Sequence, residues 1–199
     1  MQPKQKTNLT PDEYLAIERK ADIKSEYYNG EMFALAGASE KHELICGNTF
    51  AAIHQLVEEK PCKVYSSNMR IWIEKSGLYT YPDISIVCGK TEFVDSKVDT
   101  LKNPVTVTEV LSDSTEKYDR SQKFKFYMSI PTLKEYILIS QNKIILEQFI
   151  KDEKKDNEWI LRIYDKLEDS FEIYSIKEKI NLKDIYDKIE FEPNERLNR

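Results

Sequence analysis

The run NPVTVTEVLS constrains the fold of this 199-residue chain more than any other, because it sets Glu109 into the alternation Val105, Val107, Glu109, Leu111. Successive side chains of a strand point to opposite faces, so Glu109 shares the face of three aliphatic neighbours and should point inward. A second carboxylate, Asp83, opens the β-branched run of YPDISIVC just after Pro82. An unpaired charge inside a core is costly enough that it would neutralise, so two such carboxylates most simply share a divalent cation.

A third charged residue follows on a helix. In KYDRSQKFKFYM, at about 100° per residue, Phe124, Tyr127 and Met128 share one face with Phe126 at its edge. Lys123 falls inside that arc, whereas Lys125 points to the opposite, solvated side. Lys123 would bring its ammonium to the sheet, where it could meet Asp83 and Glu109 around a metal or position a water. Asp119 and Tyr127 lie one turn to either side and could orient it. A partly buried salt bridge that caps a strand end fits these residues equally well, because structural ion pairs also perturb charges.

Pro82 with Asp83, Glu109 with Val110 and Leu111, and Asp119 through Lys123 resemble the PD-(D/E)xK nuclease superfamily. The whole chain is more closely similar to the Uma family of restriction endonucleases, a large bacterial group. That resemblance runs from Thr10 to about Glu190 and includes EYLAIERKADIKSEYYNGE, AGASEKH, YPD, EVLS, KFKFY and LKEYILIS. In this family the E-x-K strand of the superfamily becomes E-x-L and the lysine moves to the following helix, a pattern that Leu111 and Lys123 match. Two stretches depart from it: Ser67, Asn68, Met69 and Arg70 stand where relatives carry SDMR, and Asp113 stands in LSDST where LSPST is usual.

The resemblance implies an α/β (α+β) fold with a restriction-endonuclease-like αβββαβ core, a mixed central sheet flanked by helices on both faces. Strands between Lys143 and Ile176 should extend that sheet or form an appended antiparallel meander. It also implies a Mg²⁺-dependent endodeoxyribonuclease that hydrolyses phosphodiester bonds in DNA. Asp83, Glu109 and the carbonyl of Val110 would hold Mg²⁺ or Mn²⁺, hard cations that suit oxygen ligands. Lys123 would orient the attacking water or stabilise charge developing on phosphorus.

Two further residues compete for a role. Glu26 stands between the strand positions Ile23 and Tyr28, where a hairpin glutamate is ordinarily exposed; it matches a glutamate of the Uma pattern, which raises it above Glu31. His42 lies on the inner arc of the second helix with Ile45 and Cys46. A hydrogen-bonded structural histidine is the commoner outcome there, and a supporting position beside the metal also fits. His54 faces outward.

Organisation is that of one domain over residues 1–199, with a core from about 10 to 190 and a tail that frays after 190. Thr10, Pro11 and Glu13 form a capping box with proline at the first turn, which predicts a helix from Pro11 to about Lys20. Asn29 and Gly30 predict a hairpin turn between IKSEYY and EMFALA. A second helix is predicted from about Glu40 to Glu59, with Ile45, Thr49, Ala52, Ile53 and Leu56 inward. Strands follow at CKVY, MRIWIE, DISIV and VTVTEVL, then after the Lys123 helix at EYILIS, KIILEQF, EWILRIY and SFEIYSI.

Composition narrows the surroundings. A hydrophobic content of 40% with 12 Tyr and 8 Phe excludes a disordered chain, and the length suits one buried core. A net charge of −5 removes any global basic field, so nucleic acid would have to be held in a local groove. Cys46, Cys62 and Cys88 lack metal-ligand spacing and read as reduced thiols. MQPKQKTNLTP contains no apolar signal region, and no stretch approaches membrane-spanning length, which points to the cytoplasm. Two other classes stay open: a catalytically inactive module that binds nucleic acid or protein, and a structural homodimer paired through apolar edge strands.

Overall fold

The computed structural model describes residues 8–155 and 158–191. The expectations for the extreme N-terminus and for a tail beyond Phe191 therefore lie outside the described residues. Thr10 closes the first helix, α1 (Pro11–Glu18), with both halves of the capping box: its hydroxyl accepts from the Glu13 amide and the Glu13 carboxylate accepts from the Thr10 amide at 2.8 Å. α1 stops two residues before the predicted end. Its last side chain, Glu18, is buried and accepts from the Ser25 amide at 2.8 Å and the Tyr81 hydroxyl at 2.9 Å, which turns the chain into the next strand.

That strand, β1 (Ser25–Tyr28), pairs with β2 (Glu31–Ala34) across Asn29 and Gly30. Both turn residues have positive φ, +49° and +84°, the geometry that a two-residue hairpin demands and that Asn-Gly tolerates best. Next come α2 (Glu40–Val57), β3 (Cys62–Ser66), β4 (Arg70–Ile73), β5 (Leu78–Thr80), β6 (Ile84–Cys88), β7 (Thr100–Leu101) and β8 (Thr106–Leu111). One helical segment then carries α3 (Glu116–Tyr118), a π-helical turn over Asp119–Lys123 and α4 (Phe124–Tyr127). The chain ends with β9 (Glu135–Ser140), β10 (Leu146–Lys151), β11 (Trp159–Tyr164), β12 (Ser170–Ile173), β13 (Glu178–Asn181) and α5 (Leu182–Ile185).

Among the described residues the strands do not form one central sheet. A six-stranded sheet runs β11-β10-β9-β8-β6-β3, a five-stranded sheet runs β2-β1-β5-β4-β7, and β12 and β13 form a hairpin. The two larger sheets are both mixed, through the parallel pairs β8 with β9 and β4 with β7. The second sheet escapes a sequence reading because two of its strands, Leu78–Thr80 and Thr100–Leu101, are too short to show alternation. Both alternatives for the C-terminal strands are realised: β10 and β11 extend the large sheet, and β12 joins β13 in a separate hairpin.

Period-two alternation divides the large sheet into two packed faces. On one side Ile84 and Ile86 of β6, Val110 of β8 and Ile137 and Ile139 of β9 pack against Ile45, Ile53 and Val57 of α2, with Phe171, Ile180 and Leu182 closing the layer. On the other side Val107, Leu111, Tyr136 and Leu138 pack against Tyr127 and against Ile71, Ile73 and Leu78 of the second sheet. Glu109 follows the parity of Val107 and Leu111, so it faces the helical segment that carries Lys123. The outer strand β11 leaves Ile160, Leu161 and Ile163 exposed. No helix among the described residues is long and apolar enough to cross a membrane.

The cysteine expectation is corrected. Cys62 and Cys88 are directly opposite in the antiparallel pairing of β3 with β6 and are joined by a disulfide, which leaves Cys46 as the free thiol. Directly opposed side chains on neighbouring strands lie within bonding reach, and spacing along the sequence carries no information about that register. The bridge spans a sequence separation of 26. By loop closure, its reduction is expected to cost up to about 3.5 kcal/mol of unfolding free energy, measurable as a lower urea midpoint in dithiothreitol.

Candidate active site

Glu109 is 3% exposed and reaches the site through the strand parity described above. Its Oε1 accepts from the Tyr127 hydroxyl at 2.9 Å and lies 2.9 Å from Lys123 Nζ. Lys123 is itself buried at 6% exposure, whereas Lys125 is exposed, as the helical phase requires. The helix is not uniform, however. A π turn spans Asp119–Lys123 and still buries both of its ends, with Asp119 Oδ1 3.5 Å from Lys123 Nζ. Such wide turns inside α-helices recur where a side chain must be re-aimed.

Glu26 joins the same cluster, contrary to the ordinary expectation for a hairpin glutamate. It is 2% exposed, 3.6 Å from Lys123 Nζ, and accepts a hydrogen bond from the Thr80 hydroxyl on β5. One ammonium therefore faces three buried carboxylates. Burial alone would lower the Lys123 ammonium, but Glu109, Tyr127, Glu26 and Asp119 outweigh it and hold the ammonium well above its usual range. Burial, then the charges of Asp119 and Asp83, push the Glu109 carboxyl well above the usual carboxylate range, against the pull of Lys123.

Asp83 sits just before β6, at the end of the large sheet. Its Oδ2 accepts from the Val110 amide at 2.7 Å and lies 3.3 Å from His42 Nε2. Burial would lower the His42 imidazole, yet hydrogen bonding and charge from Asp83, the Glu43 charge and a hydrogen bond to the Val110 backbone raise it above its usual value. The imidazole lies between a carboxylate and a backbone oxygen, surroundings that favour its protonated form over the neutral one. α2 places His42 there through its N-cap, since the Ser39 hydroxyl accepts from the His42 amide at 3.2 Å.

Asp83, Glu109, Val110, Asp119, Lys123 and His42 all line one cleft of about 550 Å³, and Glu26 and Tyr127 support its wall from behind. Lys24 also lines it, donating to the Ser67 carbonyl at 2.9 Å and to Asn68 Oδ1 at 3.2 Å, so the departure at Asn68 keeps an acceptor in that loop. Asp113 at the rim accepts from Asn142 at 2.6 Å.

Cys46, which lines a neighbouring hollow and not the cleft itself, was not singled out by the sequence. Its Sγ lies 3.5 Å from His42 Nδ1. The signal was present, because four residues separate His42 and Cys46 on a helix and put them on one face.

Over residues 11–181 the chain matches the family model Uma2, whose description reads "Putative restriction endonuclease". It is 37% identical over 153 residues to "Uncharacterized protein sll1609" of Synechocystis sp. (strain ATCC 27184 / PCC 6803 / Kazusa), which covers 77% of this chain and 85% of that protein. It is 32% identical over 168 residues to "Uncharacterized protein slr1290" of the same organism, covering 84% and 86%. A crystal structure described as "a putative nuclease belonging to DUF820" from Anabaena variabilis ATCC 29413 superposes with a TM-score of 0.72 at 17% identity, covering 89% of this chain and 97% of that chain, a likeness of fold.

Proposed function

The chain belongs to the Uma2 family, and we propose that it is a metal-dependent nuclease that hydrolyses phosphodiester bonds in DNA. The observation that carries this reading is the surplus of buried carboxylate in the cleft wall. Glu109, Asp119 and Glu26 lie 2.9, 3.5 and 3.6 Å from one ammonium, and Asp83 lines the same cleft. Such an excess of buried carboxyl oxygens over a single ammonium fits a hard divalent cation held by oxygen.

Asp83, Glu109 and the Val110 carbonyl would hold Mg²⁺ or Mn²⁺. Bound there, the cation would supply Lewis-acid polarisation of the scissile phosphate and a water of lowered pKa. The chain's own residues would do the rest. Tyr127 fixes one Glu109 oxygen, and the Val110 amide fixes Asp83, so both carboxylates are oriented before substrate arrives. Lys123, held charged by its carboxylate neighbours, would orient the attacking water or stabilise charge gained by the phosphate oxygens. A DNA substrate would put the activity in the cytoplasm, where thiol reductants act on the Cys62–Cys88 bridge.

Incubation of the purified protein with supercoiled and single-stranded DNA tests the reading. Cleavage is expected with Mg²⁺ or Mn²⁺ and is expected to stop with excess EDTA. DNA binding without cleavage under every metal condition would replace this proposal with the inactive binding module.

A further inference from the structure

His42, Cys46 and Asp83 bring one nitrogen, one sulfur and one oxygen donor to a single point where α2 meets β6. Their donor atoms, one from each residue, all lie within 4.8 Å of one another. Cys46 Sγ is 3.5 Å from His42 Nδ1, and His42 Nε2 is 3.3 Å from Asp83 Oδ2. Arms of about 2.0–2.3 Å around a tetrahedral ion put donors roughly 3.3–3.8 Å apart, so the triangle must contract by about an ångström. The two short distances run to opposite ring nitrogens of His42, so closing the triangle on one nitrogen calls for rotation of the side chain of His42 or Cys46, which share one helical face.

We propose that these three residues form a second, softer metal subsite for Zn²⁺ and similar transition ions, and that its occupation draws Asp83 away from the nuclease centre. The inhibitory half of this statement rests on the nuclease reading above; the binding half does not.

The donor set decides the class of ion. A thiolate and an imidazole beside one carboxylate suit Zn²⁺ or Co²⁺, whereas Mg²⁺ and Ca²⁺ prefer oxygen alone. Three protein ligands leave a fourth position for water, and the structure provides access to it. His42 and Asp83 line the main cleft, and Cys46 and Asp83 line a neighbouring hollow of about 230 Å³, so Asp83 forms part of both walls.

A Cys-His-Asp line could also describe a thiol nucleophile, but the surroundings oppose it. Burial first, then the charges of Asp83, Glu43 and Glu109, hold the Cys46 thiol protonated far above its usual range. A thiol that stays protonated is a poor nucleophile. A bound cation reverses that balance: the sulfur–metal bond forms as the S–H proton leaves to solvent, so uptake strengthens with rising pH.

The test uses the full chain with its disulfide intact and Co²⁺ as the optical probe. Wild-type protein is expected to bind one equivalent with a near-ultraviolet thiolate-to-cobalt absorption. Cys46→Ser, or Cys46→Ala should serine disturb the helix, is expected to lose that absorption and to bind Zn²⁺ at least about tenfold more weakly. Glu109→Gln is expected to keep both. Absence of the absorption at saturating Co²⁺ in wild type, or its persistence in both Cys46 variants, overturns the subsite. In Mg²⁺-supported DNA cleavage, Zn²⁺ is expected to inhibit wild type while Cys46→Ser cleaves normally and resists; equal inhibition overturns the sharing of Asp83. Should no form cleave DNA, the nuclease reading falls and the cobalt spectrum still decides the subsite.

Discussion

Glu109→Gln is expected to abolish Mg²⁺-supported cleavage while leaving the metal-free melting temperature unchanged or higher. The two effects share one cause. Glutamine keeps the shape of the side chain and an oxygen for the Tyr127 hydroxyl, which donates at 2.9 Å, but it removes the negative charge that a divalent cation requires. In the absence of metal that same charge is a burden, because burial and the neighbouring Asp119 and Asp83 raise the Glu109 pKa well above its usual value. A carboxyl whose folded pKa is raised contributes stability below its unfolded pKa and loses it as pH rises through the folded value. Wild type should therefore lose ground to Glu109→Gln as pH rises from acid toward neutrality, and melts in EDTA at a series of pH values measure the gap. Asp83→Ala should likewise eliminate cleavage, since it removes the other carboxylate and leaves the Val110 amide without its 2.7 Å acceptor. Wild-type turnover in Asp83→Ala or Glu109→Gln would sink the site.

Strand and helix periodicity alone made the centre of this cleft legible. Glu109 interrupts an apolar alternation, and Lys123 falls on an apolar arc, so both had to point inward wherever their elements packed. The same arithmetic failed where position depended on another element. Glu26 is buried because β1 lies beside β5, which presents Thr80 to it, and because the Lys123 helix packs over both. Nothing in SEYYNGEM encodes those neighbours. The Cys62–Cys88 bridge depends on strand register in the same way, and the contact of His42 with Asp83 depends on how α2 lies across β6. A uniform helical wheel cannot show the π turn at Asp119–Lys123; the phase survived because both ends of that turn stay on the buried side. Similarity to a known family supplied what periodicity could not, namely which of several glutamates to prefer.

Lys123→Ala is expected to lower turnover by at least about a hundredfold, in the range found for removal of one preorganised charge stabiliser, whereas Lys125→Ala should stay within about twofold of wild type. The two lysines are two residues apart, so the comparison tests geometry rather than net charge. Lys123 Nζ is 2.9 Å from Glu109 and lines the cleft, while Lys125 is exposed on the far side of the helix. Arg120 cannot substitute for it, because its guanidinium is engaged by Glu116 at 2.7 Å and by Glu147. Metal affinity should survive the loss of Lys123 and even rise, since an ammonium competes with a cation for the same carboxylates. Stability should not survive as well: Glu26, Glu109 and Asp119 would face one another without a counter-charge, a change that costs on the order of 3 kcal/mol when one partner of a buried pair is removed. Added Mn²⁺ should restore part of that loss, because binding to the folded state alone stabilises it by mass action. Single-turnover cleavage with saturating metal, read beside a melt with and without Mn²⁺, separates the lost chemistry from the lost stability. A damaging Lys125→Ala beside a silent Lys123→Ala would show that the ammonium serving the cleft comes from the other face of the helix, and the proposed nuclease geometry would have to be abandoned.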